Sequence, residues 1–386
     1  MKKSGSRLCA LGFSALLASA GPAHAALPSY APPTATQMRV HYIDVGQGSA
    51  VLLEFACATA LIDTGGEKND HFDGTARLKT YLDAYFARRT DRARTIDLLI
   101  ITHAHIDHAR GIATVLENYK VRNLVDNGLE SGSGGRQQKS AHAAVRASGG
   151  AIKYQAVAEK EITDLAGLTS DIIDPVKRCA NGTDPKIMAL WGALDPAGGW
   201  TQTVLKNGNN SSVVVRLDFG KAAFLFPGDL EDEVQGELLD FYSDGCTIHC
   251  MLDVDVYQVS HHGSHNGTSA GLISAMNEPK IAAISMGSPE RVESWTAQAY
   301  GHPRKDIIDE LLVLDQGGLM NRTPAPRKVS VALRGASKRK RPAGAPPPSK
   351  QFVEINMAKA IYGTGWDGTV VINAQSDGTL KVDTEK

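Results

Sequence analysis

The chain has 386 residues, 42% of them apolar and 22% charged, with a formal net charge of −1 at pH 7. This balance excludes an extensively disordered chain and a globally basic, nucleic-acid-coating protein, and it allows one large or two ordinary cored domains. It does not exclude a local positive site, because bound cations or a surface patch supply such a field without altering the total.

In chain order, residues 1–25 read as a secretory signal. Lys2, Lys3 and Arg7 lie in a basic stretch, Leu8 to Ala18 is apolar, and Ala23-His24-Ala25 is a small-x-small cleavage site. The apolar run is too short to span a bilayer, so a periplasmic or secreted location without stable membrane insertion is expected. Loss of the leader takes the net charge to about −4. Four cysteines then remain, Cys57, Cys179, Cys246 and Cys250, an even count that an oxidising compartment can pair in three ways.

Residues 38–45 read as the first strand, Gly46-Gln47-Gly48 as a tight turn, and 49–55 and 58–63 as the next two strands. The spacing of Leu78, Tyr81, Leu82, Tyr85 and Phe86 predicts a helix over 74–89. Residues 96–101 are an apolar, β-branched run typical of a buried strand, 111–119 have helical spacing, and 121–127 are a further strand. From about 131 to 208 the pattern is rich in Gly, Ser and Asn and reads as an insertion. It has a helix over 138–148 and short strands near Ile152 and Ile172. Residues 187–200 fit no element; Trp191 and Trp200 there are candidates to line a site's mouth or to cap the core. Residues 211–218 and 222–226 make a hairpin about Gly220-Lys221, followed by a helix over 231–242. A strand over 254–260, a short helix over 272–276 and a strand over 281–286 complete this half. Residues 336–350 are a basic, Pro-rich linker, read either as a solvated loop or as a clamp for a polyanion. Residues 351–386 form a small terminal β element, with 368–372 against 379–382.

The most informative stretch is Thr102-His103-Ala104-His105-Ile106-Asp107-His108. It lies between a predicted buried strand and a predicted helix, so rigid elements on both sides hold the side chains still. Imidazole suits zinc, iron and manganese, and a carboxylate among imidazoles suits a hydrolytic divalent centre. Alternate residues of an extended loop face the same way, so His103 and His105 hold one ion while Asp107 and His108 turn toward a second.

This HxHxDH pattern resembles the metallo-β-lactamase superfamily of binuclear metal hydrolases. Asp44-Val45-Gly46-Gln47-Gly48, Asp63-Thr64-Gly65, Pro227-Gly228-Asp229, His261-His262-Gly263-Ser264 and Tyr300-Gly301-His302-Pro303 resemble one branch of it, the ComEC-like hydrolase domains, here without the membrane channel. The resemblance spans residues 39–304. It implies an αββα sandwich, an α/β fold of two facing sheets with helices outside and metals at one rim, occupying 26–335. It also implies roles for distant residues. Asp229 is the bridging carboxylate, His262 completes the second ion with His261 as the alternative, and Asp63 orients a ligand histidine from behind. Aspartate at 229, where β-lactam-hydrolysing relatives often use cysteine, fits phosphoesterases and lactonases. Where many members have a further histidine this chain has Asn209-Asn210-Ser211, so the first ion is left with His103, His105, Asp229 and Asn210 or water. Two divalent ions are expected, zinc first and manganese as the alternative.

The expected activity is hydrolysis of an anionic phosphoester, DNA among the candidates, by a hydroxide bridging two metal ions. Asp107 orients the hydroxide, the leaving oxygen takes a proton from His261, His265 or water, and the family pattern places the loop of Tyr300 and His302 near the substrate. Arg110, where relatives usually carry glycine, is expected at a helix start beside the metals, turned either to a phosphate or outward to solvent. The alternatives are a lactonase, a phosphorylcholine-type esterase or a β-lactamase, and, from another class, a non-catalytic binding protein with a degenerate metal site.

Overall fold

The structure is a computed structural model that describes residues 31–243, 250–313, 318–333 and 352–386. The predicted leader at 1–25, Cys246 and the basic segment 336–350 lie outside the described residues.

Two sheets face each other. The first has eight strands in the spatial order Leu380–Thr384, Val370–Gln375, Gln37–Tyr42, Val51–Phe55, Thr59–Ile62, Leu98–Ile100, Asn123–Asp126 and Lys153–Ala156. The first five pair antiparallel and the last four, sharing Thr59–Ile62, pair parallel. The second sheet has six strands, in the order Ile361–Gly363, Ile281–Ile284, Val256–Gln258, Ala222–Phe226, Val214–Phe219 and Pro185–Trp191. Its first four are parallel.

Parallel neighbours need a crossover, and helices supply it on both sides. Gly74–Arg88, Ile112–Asn118 and Gly135–Ala147 link the parallel strands of the first sheet; Asp232–Ser243, Ala270–Ala275 and Lys305–Val313 serve the second. Asp73 starts the first of these helices by accepting a hydrogen bond from the Ala76 N–H at 3.1 Å. The inner faces of the sheets meet through aromatic rings: Tyr42 lies 6.4 Å from Phe226, and Phe55 lies 6.4 Å from Phe219. The arrangement is the mixed α/β sandwich, two facing sheets with helices outside, that the sequence led us to expect.

Three local outcomes differ from the sequence reading. Residues 185–191 form a strand, completed by its pairing with Val214–Phe219. Pro185 sits at its first position, where the missing N–H costs no ladder bond. The predicted strand near Ile172 is a turn instead. The terminal hairpin forms, with Ile372 opposite Val382, but it is built into the eight-stranded sheet through pairing of Val370–Gln375 with Gln37–Tyr42.

Of the three ways to pair the cysteines, the structure shows Cys57 bonded to Cys179, with Cα atoms 5.6 Å apart. The bridge ties a turn of the eight-stranded sheet to the insertion across 122 residues. Because it restricts a long loop in the unfolded chain, Cys57→Ala/Cys179→Ala is expected to cost about 2–4 kcal/mol in urea unfolding. A difference near zero would mean that native strain cancels the restriction.

At the rear of the first sheet Glu54, with no exposed side-chain surface, gathers the Arg89 guanidinium at 2.9 Å, Arg39 at 3.1 Å and His41 at 3.3 Å. Burial alone would raise its pKa. The His41 hydrogen bond and the charges of Arg88 and Arg89 outweigh that and hold it at about 2.

Every parallel strand of both sheets points its carboxyl end at one rim. The loops after Ile62, Ile100, Phe226, Gln258 and Ile284 all open there. Those loops contain the Asp63-Thr64-Gly65, Thr102-to-His108, Pro227-Gly228-Asp229, His261-His262-Gly263-Ser264 and Tyr300-Gly301-His302-Pro303 stretches, but not the first turn. Clefts at such rims are where α/β sheets bind ligands.

Candidate metal centre

The centre is built on the turn Asp63-Thr64-Gly65. Asp63 holds a left-handed backbone, φ 61°, and its carboxylate accepts from the Thr102 N–H at 2.8 Å and the Thr102 hydroxyl at 3.0 Å. A Cβ on Gly65 would lie 1.4 Å from the Asp107 carbonyl oxygen, so only glycine lets the turn press against the ligand loop. Backbone hydrogen bonds from Thr64 N to His108 O (2.7 Å) and from Ser49 N to Asp107 O (2.9 Å) complete the brace.

Asp63 also sets the state of His108. Its Oδ2 lies 2.7 Å from His108 Nδ1 and accepts from it, so that nitrogen carries hydrogen and Nε2 faces Asp229 and His262. His262 is fixed the same way from the other sheet, its Nδ1 donating to the Ser285 carbonyl at 2.6 Å. His108 Nε2 then stands 3.0 Å from Asp229 Oδ1 and 3.3 Å from His262 Nε2. His262 Nε2 is 3.4 Å from both Asp229 Oδ2 and Asp107 Oδ2. Donor atoms of Asp107, His108, Asp229 and His262 all lie within 4.8 Å of one another.

These spacings fit a metal ion. Four ligands about 2.05 Å from a tetrahedral zinc are separated by about 3.3 Å along each edge. Two imidazole nitrogens facing each other beside two carboxylates also call for a cation between them. The protonation pattern agrees. Burial would lower the His262 imidazole, but the Asp229 charge and hydrogen bonds to Asp107 and Asp229 push it up to about 10. His108 is raised against its burial by Asp229 and Asp63. Burial favours protonated Asp229, yet His108 and His262 hold it well below the usual carboxylate range. Metal ligands bind deprotonated, so metal binding at this group would be coupled to proton release.

His103 and His105 lie beside this group, with His103 Nε2 3.0 Å from His105 Nδ1. Burial first, then the neighbouring His108 and His105, lower the His103 pKa and keep it a neutral imidazole, the form that ligates. The loop 208–211 packs on them; a Cβ on Gly208 would lie 3.1 Å from His105 Nε2. Asn209, not Asn210, lines the cleft. Asn209 donates to Glu231 at 2.6 Å, and its buried Oδ1 has no partner. The Asn210 Nδ2 donates to the Val204 carbonyl and to Glu233, and its Oδ1, also buried, has no hydrogen-bond partner.

The distant residues arrive in distinct places. Asp229 follows Gly228, whose φ of +60° turns the chain into the cleft. His261 and His262 are both left-handed, φ 50° and 55°, a pair of sparsely populated conformations that usually marks a functional site. The kink sends His262 into the cluster and leaves His261 at the cleft wall, 3.8 Å from Asp229 and 3.5 Å from Glu231. His302 lies 5.9 Å from His261, ring to ring, and accepts from Gln47 Nε2 at its Nδ1, 3.2 Å away. Gln47 Oε1 is engaged by the Gly287 N–H, which orients the amide and places the His302 hydrogen on Nε2. Arg110 lines the cleft, its Nε bonded to the Gly66 carbonyl at 2.9 Å.

Trp191 and Trp200 do not line this cleft. Trp191 is buried and donates to the Asn210 carbonyl at 3.0 Å, propping the loop that packs on His105. Sequence reasoning missed Glu67, Asn209 and Trp295, which do line it. Glu67 follows Asp-Thr-Gly-Gly directly, and an acidic residue abutting a glycine-rich ligand turn was the available signal. Asp63→Asn keeps one acceptor oxygen for Thr102 but puts an amide NH2 in place of the other carboxylate oxygen and removes the charge beside His108. It is expected to weaken metal affinity about 10–100-fold, measured by competition with a chelating dye. Unchanged affinity would remove Asp63 from the support of the centre.

A model of the Metallo-beta-lactamase superfamily matches residues 43–280, and the chain belongs to that superfamily. It is similar to ComE operon protein 3 of Bacillus subtilis (strain 168), 28% identical over 294 residues that cover 72% of this chain and 31% of that one. It is 23% identical over 280 residues to Recombination protein 2 of Haemophilus influenzae, covering 72% of this chain and 28% of the other. These relatives agree with the ComEC-like branch, although the chain spans less than a third of their length. Among solved structures, the metallo-beta-lactamase fold protein YhfI from Bacillus subtilis shares 11% identity at a TM-score of 0.38, covering 72% of this chain and 94% of that one. CmlA, a diiron beta-hydroxylase from Streptomyces venezuelae, shares 17% at 0.40, covering 74% and 52%. Among the described residues no helix is long and apolar enough to cross a membrane.

Proposed function

We propose that this protein is an exported, binuclear metal-dependent phosphodiesterase, with single-stranded nucleic acid as its substrate. The observation that carries the reading is the donor set: two carboxylates, Asp107 and Asp229, clustered with His108 and His262, with His103 and His105 beside them and no thiolate among the described residues of the group. His103, His105 and Asp229 would hold one ion, and Asp107, His108, Asp229 and His262 the other. Zinc fits the donors, with manganese as the alternative. Such ions lower the pKa of water and offset charge growing on a phosphoryl oxygen.

The chain's own groups do the rest. Asp107 accepts a hydrogen from the attacking water and aims it. Arg110 stands at the cleft wall, where a guanidinium suits a phosphate oxygen. His261 and His302 offer ring N–H groups to the leaving oxygen across the opening. Similarity to a protein named for recombination favours nucleic acid over a lactone or β-lactam. The leader sequence and the Cys57–Cys179 bridge support export to an oxidising compartment.

The test is to assay metal-loaded protein on single-stranded DNA, bis(p-nitrophenyl) phosphate, a homoserine lactone and nitrocefin. Turnover of the first two is expected. Turnover of only the lactone or nitrocefin would replace the reading, and bound metal without any turnover would favour a binding protein.

A further inference from the structure

Beside the metal centre the loop 288–301 carries two large rings that the hydrolytic chemistry does not use. Trp295 is 59% exposed and Tyr300 42% exposed, and both line the same cleft as Asp107, Asp229 and His262. Most tryptophans hide more of their surface, so two exposed rings at the lip of a polar cleft call for an explanation.

The rings are not loose. Trp295 holds a left-handed backbone, φ 64°, which is uncommon for so bulky a residue and points to a position determined by its surroundings. Its ring lies 6.3 Å from Tyr300, and Tyr300 stacks on His302 at 5.6 Å with their planes 20° apart. His302 in turn lies 6.2 Å from His262, 26° from parallel. A ladder of rings thus runs from solvent to a metal-ligand candidate.

The loop is also anchored at its other end. Arg291 pairs with buried Glu67, at 2.9 Å to one carboxylate oxygen and 3.2 Å to the other, and packs over the Phe72 ring at 4.0 Å. Glu67 Oε2 accepts the Gln47 N–H as well, and Gln47 holds His302. One carboxylate therefore joins the lip to the turn that orients the inner histidine. Glu293 pairs with His71 at 3.0 Å on the outer side.

We propose that Trp295 and Tyr300 form a subsite that stacks a nucleobase next to the scissile phosphate. The proposal rests on the phosphodiesterase reading above and deepens it. Flat exposed rings recognise flat partners, and a π-face accepts any base, so the subsite selects unpaired bases without reading their sequence. In a duplex those faces are already stacked within the helix, so this lip favours single strands or frayed ends. Arg110 lies in the same cleft, where a phosphate joined to the stacked base would meet it.

The test measures binding as well as hydrolysis, using the metal-loaded full chain. The probes are a fluorescein-labelled thymidine octamer with phosphorothioate linkages and the same backbone lacking its bases. The wild type is expected to bind the thymidine octamer at least about tenfold tighter than the abasic one, since ring–base stacking is worth roughly 5- to 150-fold per base. Trp295→Ala should collapse that ratio toward one, while Trp295→Phe, which keeps a ring, should retain most of it. Equal binding of both probes by the wild type, or an undiminished ratio in the alanine variant, overturns the subsite. Hydrolysis of bis(p-nitrophenyl) phosphate is read in parallel. Turnover there without base preference sinks the lip alone, and base preference without turnover sinks the phosphodiesterase reading alone.

Discussion

Asp229→Ala is expected to reduce hydrolysis by roughly 10³-fold or more and to weaken metal binding beyond the 10–100-fold typical of outer-shell changes. The reason is positional. Its two oxygens face different neighbours, Oδ1 toward His108 at 3.0 Å and Oδ2 toward His262 at 3.4 Å, and the His103 ring lies beside that of His108, 4.2 Å away. Under the proposed two-ion reading its loss would remove a ligand from each ion, and it removes the charge that most opposes the burial of His108 and His262. Metal content after gel filtration, read by plasma emission, and turnover of bis(p-nitrophenyl) phosphate are the measurements. A variant that retains two ions per chain would show that Asp229 does not bridge.

Glu54→Gln is expected to have the largest effect on stability, about 3–5 kcal/mol, although it lies far from the chemistry. The substitution leaves Arg89, whose side chain has no exposed surface, without its buried counter-charge. The same pair imposes a pH dependence. Glu54 has its folded pKa held at about 2 against an ordinary value of 4.5. A depressed folded pKa contributes stability that is complete above the unfolded value and is lost as pH falls toward the folded one. The wild-type advantage over Glu54→Gln should therefore be flat above about pH 5 and shrink between about pH 4.5 and 2. Urea unfolding of both proteins across that range measures it, and a gap that does not narrow on acidification would show that the charge on Glu54 is not what the arginines require.

The parallel halves of both sheets were legible because buried strands and crossover helices have different apolar periods. The run 96–101 and the spacing of Leu78, Tyr81, Leu82, Tyr85 and Phe86 needed nothing beyond local pattern. The strand 185–191 was not legible. Its alternation is blurred because both of its faces are buried, and its strand character comes from pairing with residues beyond 213. The terminal hairpin was readable as a hairpin, but nothing in residues 370–384 says that they pair with residues 37–42.

The same division holds at the site. Short-range order alone marked the candidate ligand loop, with three histidines and an aspartate within six positions, and the cysteine count alone bounded the disulfides. Only the tertiary structure decided that His262 and not His261 enters the cluster, that Asn209 and not Asn210 faces the cleft, that Cys57 pairs with Cys179, and that Trp295 stands at the lip. Each of those outcomes depends on backbone dihedrals at a kink or on contact between loops more than a hundred residues apart. A residue's type and spacing specify what chemistry it can perform, whereas the direction its side chain points is set by what packs behind it.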